Sequence, residues 1–254
     1  MRNSKTQKAT ISIVVLSVSA VLWILLLFNP GNIMTVDHCH VSLSGPSETS
    51  LQMLLEMNPL SGMLIGWTLM VFAMMLPKLI FPIQFIYERT FKQRRFLSAV
   101  LFVLGYALTW ILVGFVMNAI ILASNFLMPQ SFTPALLVGI IAVIWQFSPI
   151  KQRFLNRGHE HRSLAAFGWA ANRDALLFGL IHGVWCVCAG WGLMLFPMLL
   201  PQGHNIAMLI VTFIMTSEHM DHPQIPRWQF DLRLKLLRIL LAQTTIRLKQ
   251  QALW

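Results

Sequence analysis

Acidic residues are scarce in this sequence. Nine Asp and Glu stand against nineteen Lys and Arg, for a net charge of +10, and charged residues of both signs fill only 11% of the 254 positions. An ordinary soluble domain is about 25% charged. With 56% apolar residues, the chain carries too little charge for a soluble globule and is too apolar for disorder. Cysteine is rare as well: Cys39, Cys186 and Cys188 are the three, which excludes a disulfide scaffold. Carboxylates are missing from the interiors of the apolar runs, because Glu88, Asp174 and Glu218 lie at their ends. No acid–base or nucleophile–base pair falls within one run, which argues against an enzyme working inside the membrane and against a proton-coupled transporter. There is no glycine loop for phosphate, no nucleophile elbow, no short-period repeat and no low-complexity segment.

What remains is a set of apolar runs near the ~20 residues that cross a bilayer as a helix. The expected spans are residues 9–28, 62–86, 96–122, 134–150, 175–200 and a short sixth at 205–217. The first is too long for a signal-peptide core and lacks a small-residue cleavage site, so it reads as a retained helix. Every Lys and Arg except Lys78 lies before span one, between spans two and three, between four and five, or after six. The alternate loops 29–61, 123–133 and 201–204 hold no Lys or Arg. Positive charge marks the cytoplasmic side, so both termini are expected inside and the 29–61 loop outside. The charge is therefore a topology signal and a lipid contact, and nucleic acid is not expected as a partner. From Phe230 onward, apolar Phe230, Leu234, Leu237, Leu241 and Leu248 share one helical stripe, and Asp231, Lys235, Arg238 and Lys249 another. That pattern predicts an amphipathic helix on the inner leaflet or on a partner.

Fifteen Met and nine Trp are high counts; thioethers fill gaps in helix packing and also ligate copper, and Trp favours membrane interfaces. Three segments carry candidate ligands. Asp37, His38, Cys39 and His40 are consecutive in the outer loop, where a tight turn gathers several around Cu or Zn; a polar loop with an incidental His pair is the other reading. In span five, His182 and Cys186 are four apart and share a helix face, whereas Cys188 points elsewhere. They read either as a metal or redox site or as a small packing residue beside an imidazole hydrogen-bonded across helices. In span two, Met70, Met74 and Lys78 share a face, and Pro77 predicts a kink with a freed carbonyl at Ala73. This reads either as a copper-lining surface or as a kinked packing helix with Lys78 snorkelling toward the cytoplasm. His159, Glu160 and His161 read as a solvated inner loop, and Glu218 with His222 as an i, i+4 pair that Pro223 argues against.

The stretches Gly66–Pro77 and Gly179–Met194, the latter holding His182, Gly183, Cys186 and Trp191, together resemble a bacterial family of predicted metal-binding integral membrane proteins. The resemblance covers about residues 60–220 and extends to Glu218 after the next span. It departs at Ala189 and Gly190, where adjacent cysteines are usual, and at Lys78, where a small residue is usual and a cation would repel a bound ion. It implies a metal-binding membrane bundle, or a divergent member that keeps the bundle as a scaffold.

The expectation is an all-α polytopic membrane bundle of about six transmembrane helices over residues 1–222, with an amphipathic basic tail over 223–254. The expected setting is the bacterial inner membrane, with both termini cytoplasmic. The expected function is copper handling or delivery to a membrane or periplasmic metal-dependent enzyme, without catalysis. Asp37, His38, Cys39 and His40 would capture the ion outside, and Met70, Met74, His182 and Cys186 would hold it. Thiolate, thioether and imidazole favour Cu(I) over hard cations. The alternative is a non-catalytic accessory subunit of a larger membrane complex. Lipid and other membrane subunits are the expected partners.

Overall fold

The computed structural model describes residues 2–28, 52, 56, 58–129, 131–160, 162–228 and 235–251. Among these residues all regular structure is helical. The expected capture segment Asp37–His40 lies outside the described residues, as do His161 and residues 229–234. The helices are α1 (Arg2–Phe28), α2 (Leu60–Met75), α3 (Ile80–Arg89), α4 (Arg95–Leu127) and α5 (Thr133–Gln146), then α6 (Pro149–Gly158), α7 (Gly168–Met198), α8 (His204–His219) and α9 (Lys235–Gln251). A 3-10 turn, Leu76–Leu79, links α2 to α3. The all-α bundle expected from the sequence is what forms. Among the described residues four segments are long and apolar enough to cross a membrane: Thr6–Phe28, Leu60–Arg89, Arg95–Leu127 and Gly168–Met198. The bent pair α5 and α6 makes a fifth if counted as one span. The 16 residues of α8 rise only about 24 Å, short of the ~30 Å hydrocarbon core.

Span two breaks where proline predicts. Pro77 cannot donate to the Ala73 carbonyl, and the chain tightens into the 3-10 turn at that point. The freed carbonyl does not line a route, however. Buried Ser19 of α1 donates its hydroxyl to Ala73 O at 2.7 Å, so an acceptor orphaned by proline becomes the tie between α1 and α2. Nor does Lys78 snorkel. Its side chain turns into the bundle and the residue is 6% exposed.

The centre of the bundle is the crossing of α4 and α7, and glycine sets its closeness. A Cβ on Gly179 would sit 2.0 Å from the Phe102 carbonyl oxygen, and one on Gly105 2.4 Å from that of Leu176. The two backbones thus touch, as small residues allow between membrane helices. Thr109 of α4 donates its hydroxyl to Leu180 O of α7 at 3.2 Å. Trp67, Met70 and Met74 of α2 pack into the same core as Phe102, Tyr106 and Trp110 of α4, and Trp67 donates its indole N–H to Trp110 O at 2.9 Å.

The fourth span ends earlier than expected and its continuation is not a loop. After Gln146 the chain turns by 71° into α6. Ser148 caps α6 by accepting from Lys151 N at 3.1 Å, with Pro149 opening the helix. At the far end, α9 is held on α8: Leu236 N donates to Ser217 Oγ at 3.1 Å and Lys235 Nζ to Met220 O at 2.6 Å. Leu237 and Leu241 stay exposed on α9, which fits the apolar stripe of the tail.

Candidate metal centre in the bundle

The 3-10 turn, α4, α7 and the end of α8 meet around Cys186. Tyr106 of α4 touches both α7 candidates: its hydroxyl lies 3.2 Å from Cys186 Sγ and its ring centroid 6.0 Å from that of His182. His182 and Cys186 therefore do share a face, as their four-residue spacing requires. The turn made by Pro77 brings Lys78 Nζ to 3.4 Å from Cys186 Sγ. The thiol thus lies against a hydroxyl and an ammonium, half-buried at the margin of the core that holds Met70 and Met74. Both methionines are fully buried. Cys188 is on the other side of α7, where its carbonyl accepts from Trp145 Nε1 of α5 at 3.1 Å.

His182 is 5% exposed and sits in a cage of rings. Phe102 lies at 5.8 Å and Phe178 at 6.1 Å, centroid to centroid. With Tyr106, the cage is completed by His219, edge to face at 6.0 Å. His219 in turn stacks on His159 at 5.1 Å. Three imidazoles thus form a column from Cys186 toward the end of the bundle that bears α6. Expecting His159 in a solvated loop was wrong. It caps α6 with its ring nitrogens against Leu155 O at 2.8 Å and His219 O at 3.1 Å. His222 is beyond the end of α8 and exposed, so the i, i+4 pair with Glu218 does not form. Sequence spacing links His182 to Cys186 but not to His219 or His159, because the first contact depends on how α8 packs on α7 and the second on how α6 folds back after its bend.

Glu218 has another partner. Its carboxylate and the Lys151 ammonium form an ion pair at 2.9 Å, with side chains 2% and 1% exposed. Gln146 bridges them, donating to Glu218 Oε1 and accepting from Lys151 Nζ. Two charges and an amide are removed from solvent together, each meeting a complementary group, as buried charge requires.

Among the described residues no three His, Cys, Asp or Glu side chains converge on one point as a preformed metal cage. The chemistry present is a soft thiol, imidazoles in a column and thioethers in the adjoining core, donor types that suit soft ions better than hard ones.

A family model described as a copper chaperone, PpoB2, matches residues 64–229. The match covers more than half of the 254-residue chain. The protein belongs to this copper chaperone family. The matched region contains Met70, Met74, His182 and Cys186, and the whole histidine column, while Asp37–His40 falls before it. None of the curated proteins and none of the solved structures matches the chain. The copper-related part of the expectation stands, and with it a role in copper handling.

Proposed function

We propose that the protein is an integral membrane copper chaperone of the bacterial inner membrane, with six spans and both termini in the cytoplasm. It passes Cu(I) to a metal-dependent membrane or periplasmic partner and catalyses no reaction. The observation that carries this reading is the joint presentation of His182 and Cys186 to one face of α7, within the region matched to copper chaperones. Cys186 offers a thiolate on ion binding, His182 an imidazole, and Met70 with Met74 soft thioethers behind them. His219 and His159 continue the donors toward the inner face. Asp37, His38, Cys39 and His40 serve as the outer capture segment, on the side without Lys or Arg, where a cation meets no repulsion.

The test is purification in mild detergent, metal analysis, and Cu(I) titration against a bathocuproine competitor. Stoichiometric Cu(I) is expected in the wild type and in Cys188→Ser, and its loss in the pair His182→Ala, Cys186→Ser. A wild type that takes up no stoichiometric Cu(I) overturns the reading.

One contact favours a second reading. The Lys78 ammonium already occupies the approach to Cys186. A bundle whose site is filled by its own cation fits a non-catalytic accessory subunit of a larger membrane complex. That reading expects a stable multi-subunit particle without copper in the same preparation.

A further inference from the structure

We propose that the crevice between α1, α3 and α4 binds one anionic phospholipid. This goes beyond copper handling; it rests on the membrane setting proposed above, and its assignment to the inner leaflet rests on the orientation proposed there. Two cavities adjoin there. One, of about 510 Å³, is walled by apolar side chains, among them Val14, Val15, Ile83, Val100 and Val103. The other, of about 660 Å³, is walled by Lys8, Gln84, Glu88, Lys92 and Arg95. Gln7, Thr10, Ile11 and Tyr87 line both, so the two are halves of one crevice. From Gln7 to Val15, α1 rises about 12 Å, close to one leaflet's ~15 Å share of the hydrocarbon core. A crevice of that depth, apolar below and charged above, matches an acyl chain with its headgroup.

The charged end selects the sign of that headgroup. Lys8 is paired with Glu88 at 2.6 Å, which leaves Lys92 and Arg95 as the excess. Exposed Lys92 is free to turn over the opening. Arg95 is already positioned: its Nε donates to Thr90 O and its Nη1 to Gln7 Oε1, both at 3.3 Å. A guanidinium has five N–H donors, so others remain for a phosphate oxygen. Tethered Arg and mobile Lys together recognise phosphate by fork and by point charge. A zwitterionic lipid would bring its own cation to this cluster and gain less.

The experiment uses the full chain in mild detergent, titrated with phosphatidylglycerol or phosphatidylcholine and followed by melting temperature and native mass spectrometry. Wild type is expected to bind phosphatidylglycerol more tightly than phosphatidylcholine. The pair Lys92→Gln, Arg95→Gln should bind phosphatidylglycerol about 30-fold more weakly, from two contacts at ~1 kcal/mol each. Its phosphatidylcholine binding, where choline offsets the same phosphate, should fall by a smaller factor, so that the preference for phosphatidylglycerol narrows. Val100→Trp, which fills the apolar half, should weaken both lipids. If the double variant fails to fold, Lys92→Gln alone should still lose about 5-fold. Equal binding of the two lipids by wild type, an unchanged phosphatidylglycerol affinity in the lysine variant, or a crosslinker at residue 100 that captures an acidic peptide in place of lipid overturns the proposal. Copper content does not enter these measurements, so they succeed or fail separately from the chaperone reading.

Discussion

Removing one charge of the Lys151–Glu218 pair is expected to destabilise the end of the bundle that bears α6 far more than removing both. The pair is almost wholly buried, at 1% and 2% side-chain exposure, and joins the bend after α5 to the end of α8. Deleting one member of a buried pair leaves the other charge in low dielectric, at a cost of about 3–5 kcal/mol. Glu218→Gln falls at the lower end, since an amide can still accept from Lys151; Lys151→Met falls at the upper end, since it leaves a bare carboxylate with only Gln146 to bond. For a chain of this size 1 kcal/mol shifts Tm by roughly 2–4 °C, so the single variants should melt about 6–20 °C lower. The pair Lys151→Met, Glu218→Met replaces both charges with apolar groups of similar length, a change that is often neutral. It should recover most of the loss. The assay is a double-mutant cycle by melting in one detergent. A shift under about 2 °C for both single variants, or additive losses in the pair, would show that the ion pair does not join the α5–α6 bend to α8, and would refute the reasoning.

Lys78→Leu removes the cation beside Cys186 without adding a ligand. Cu(I) affinity by bathocuproine competition should rise at least about tenfold, given several kcal/mol of repulsion between near charges in a poorly screened interior; an unchanged affinity would mean that Lys78 does not guard the thiol. Gly179→Ala places a methyl 2.0 Å from the Phe102 carbonyl and should cost about 1–3 kcal/mol by forcing α4 and α7 apart. Gly158→Ala meets nothing within 4 Å and should be neutral or gain up to about 1 kcal/mol; equal melting of the two variants would contradict the close crossing. Ser19→Ala leaves the buried Ala73 carbonyl without its 2.7 Å donor and should lower stability by about 1–3 kcal/mol, whereas Thr245→Ala, whose exposed hydroxyl bonds Leu241 O within its own helix, should be silent in the same melting assay.

Legibility followed the range of each interaction. Long apolar runs announced helices because composition alone sets their burial, and Pro77 announced a break because proline lacks the donor for Ala73. The tail from Lys235 read as a helix for the same local reason. His182 and Cys186 could be placed on one face from spacing, since a helix fixes the angle between residues four apart. What the sequence left open was every contact between elements. Ser19 sits 54 residues from Ala73, so nothing near Pro77 reveals that the freed carbonyl is taken. A kink at Pro77 leaves open which way the next side chain points, so Lys78 reads as snorkelling, yet the 3-10 turn aims it inward toward a thiol 108 residues away. The boundary at residue 150 was missed because the Ile150 side of the bend is apolar, and hydropathy does not register a 71° turn. Ser148-Pro149 carried the signal: a cap residue followed by proline opens a helix.

The break at Pro77 and the bend after Gln146 have linked consequences. The first turns Lys78 toward Cys186; the second folds α6 back so that His159 reaches His219. Without the break, the thiol would lack its ammonium neighbour. Without the bend, the imidazole column would end at His219, on the last turn of α8. Both depart from straight helices at points where polar groups are then met by specific partners: Ser19 at Ala73, the Ser148 hydroxyl at Lys151 N, Glu218 at the Lys151 side chain. The two departures together place a thiol, its ammonium neighbour and three imidazoles between the core and the end that bears α6. A chaperone of the kind proposed above would use these groups as its path for a soft cation, with the Lys78 ammonium as the charge that the ion must displace.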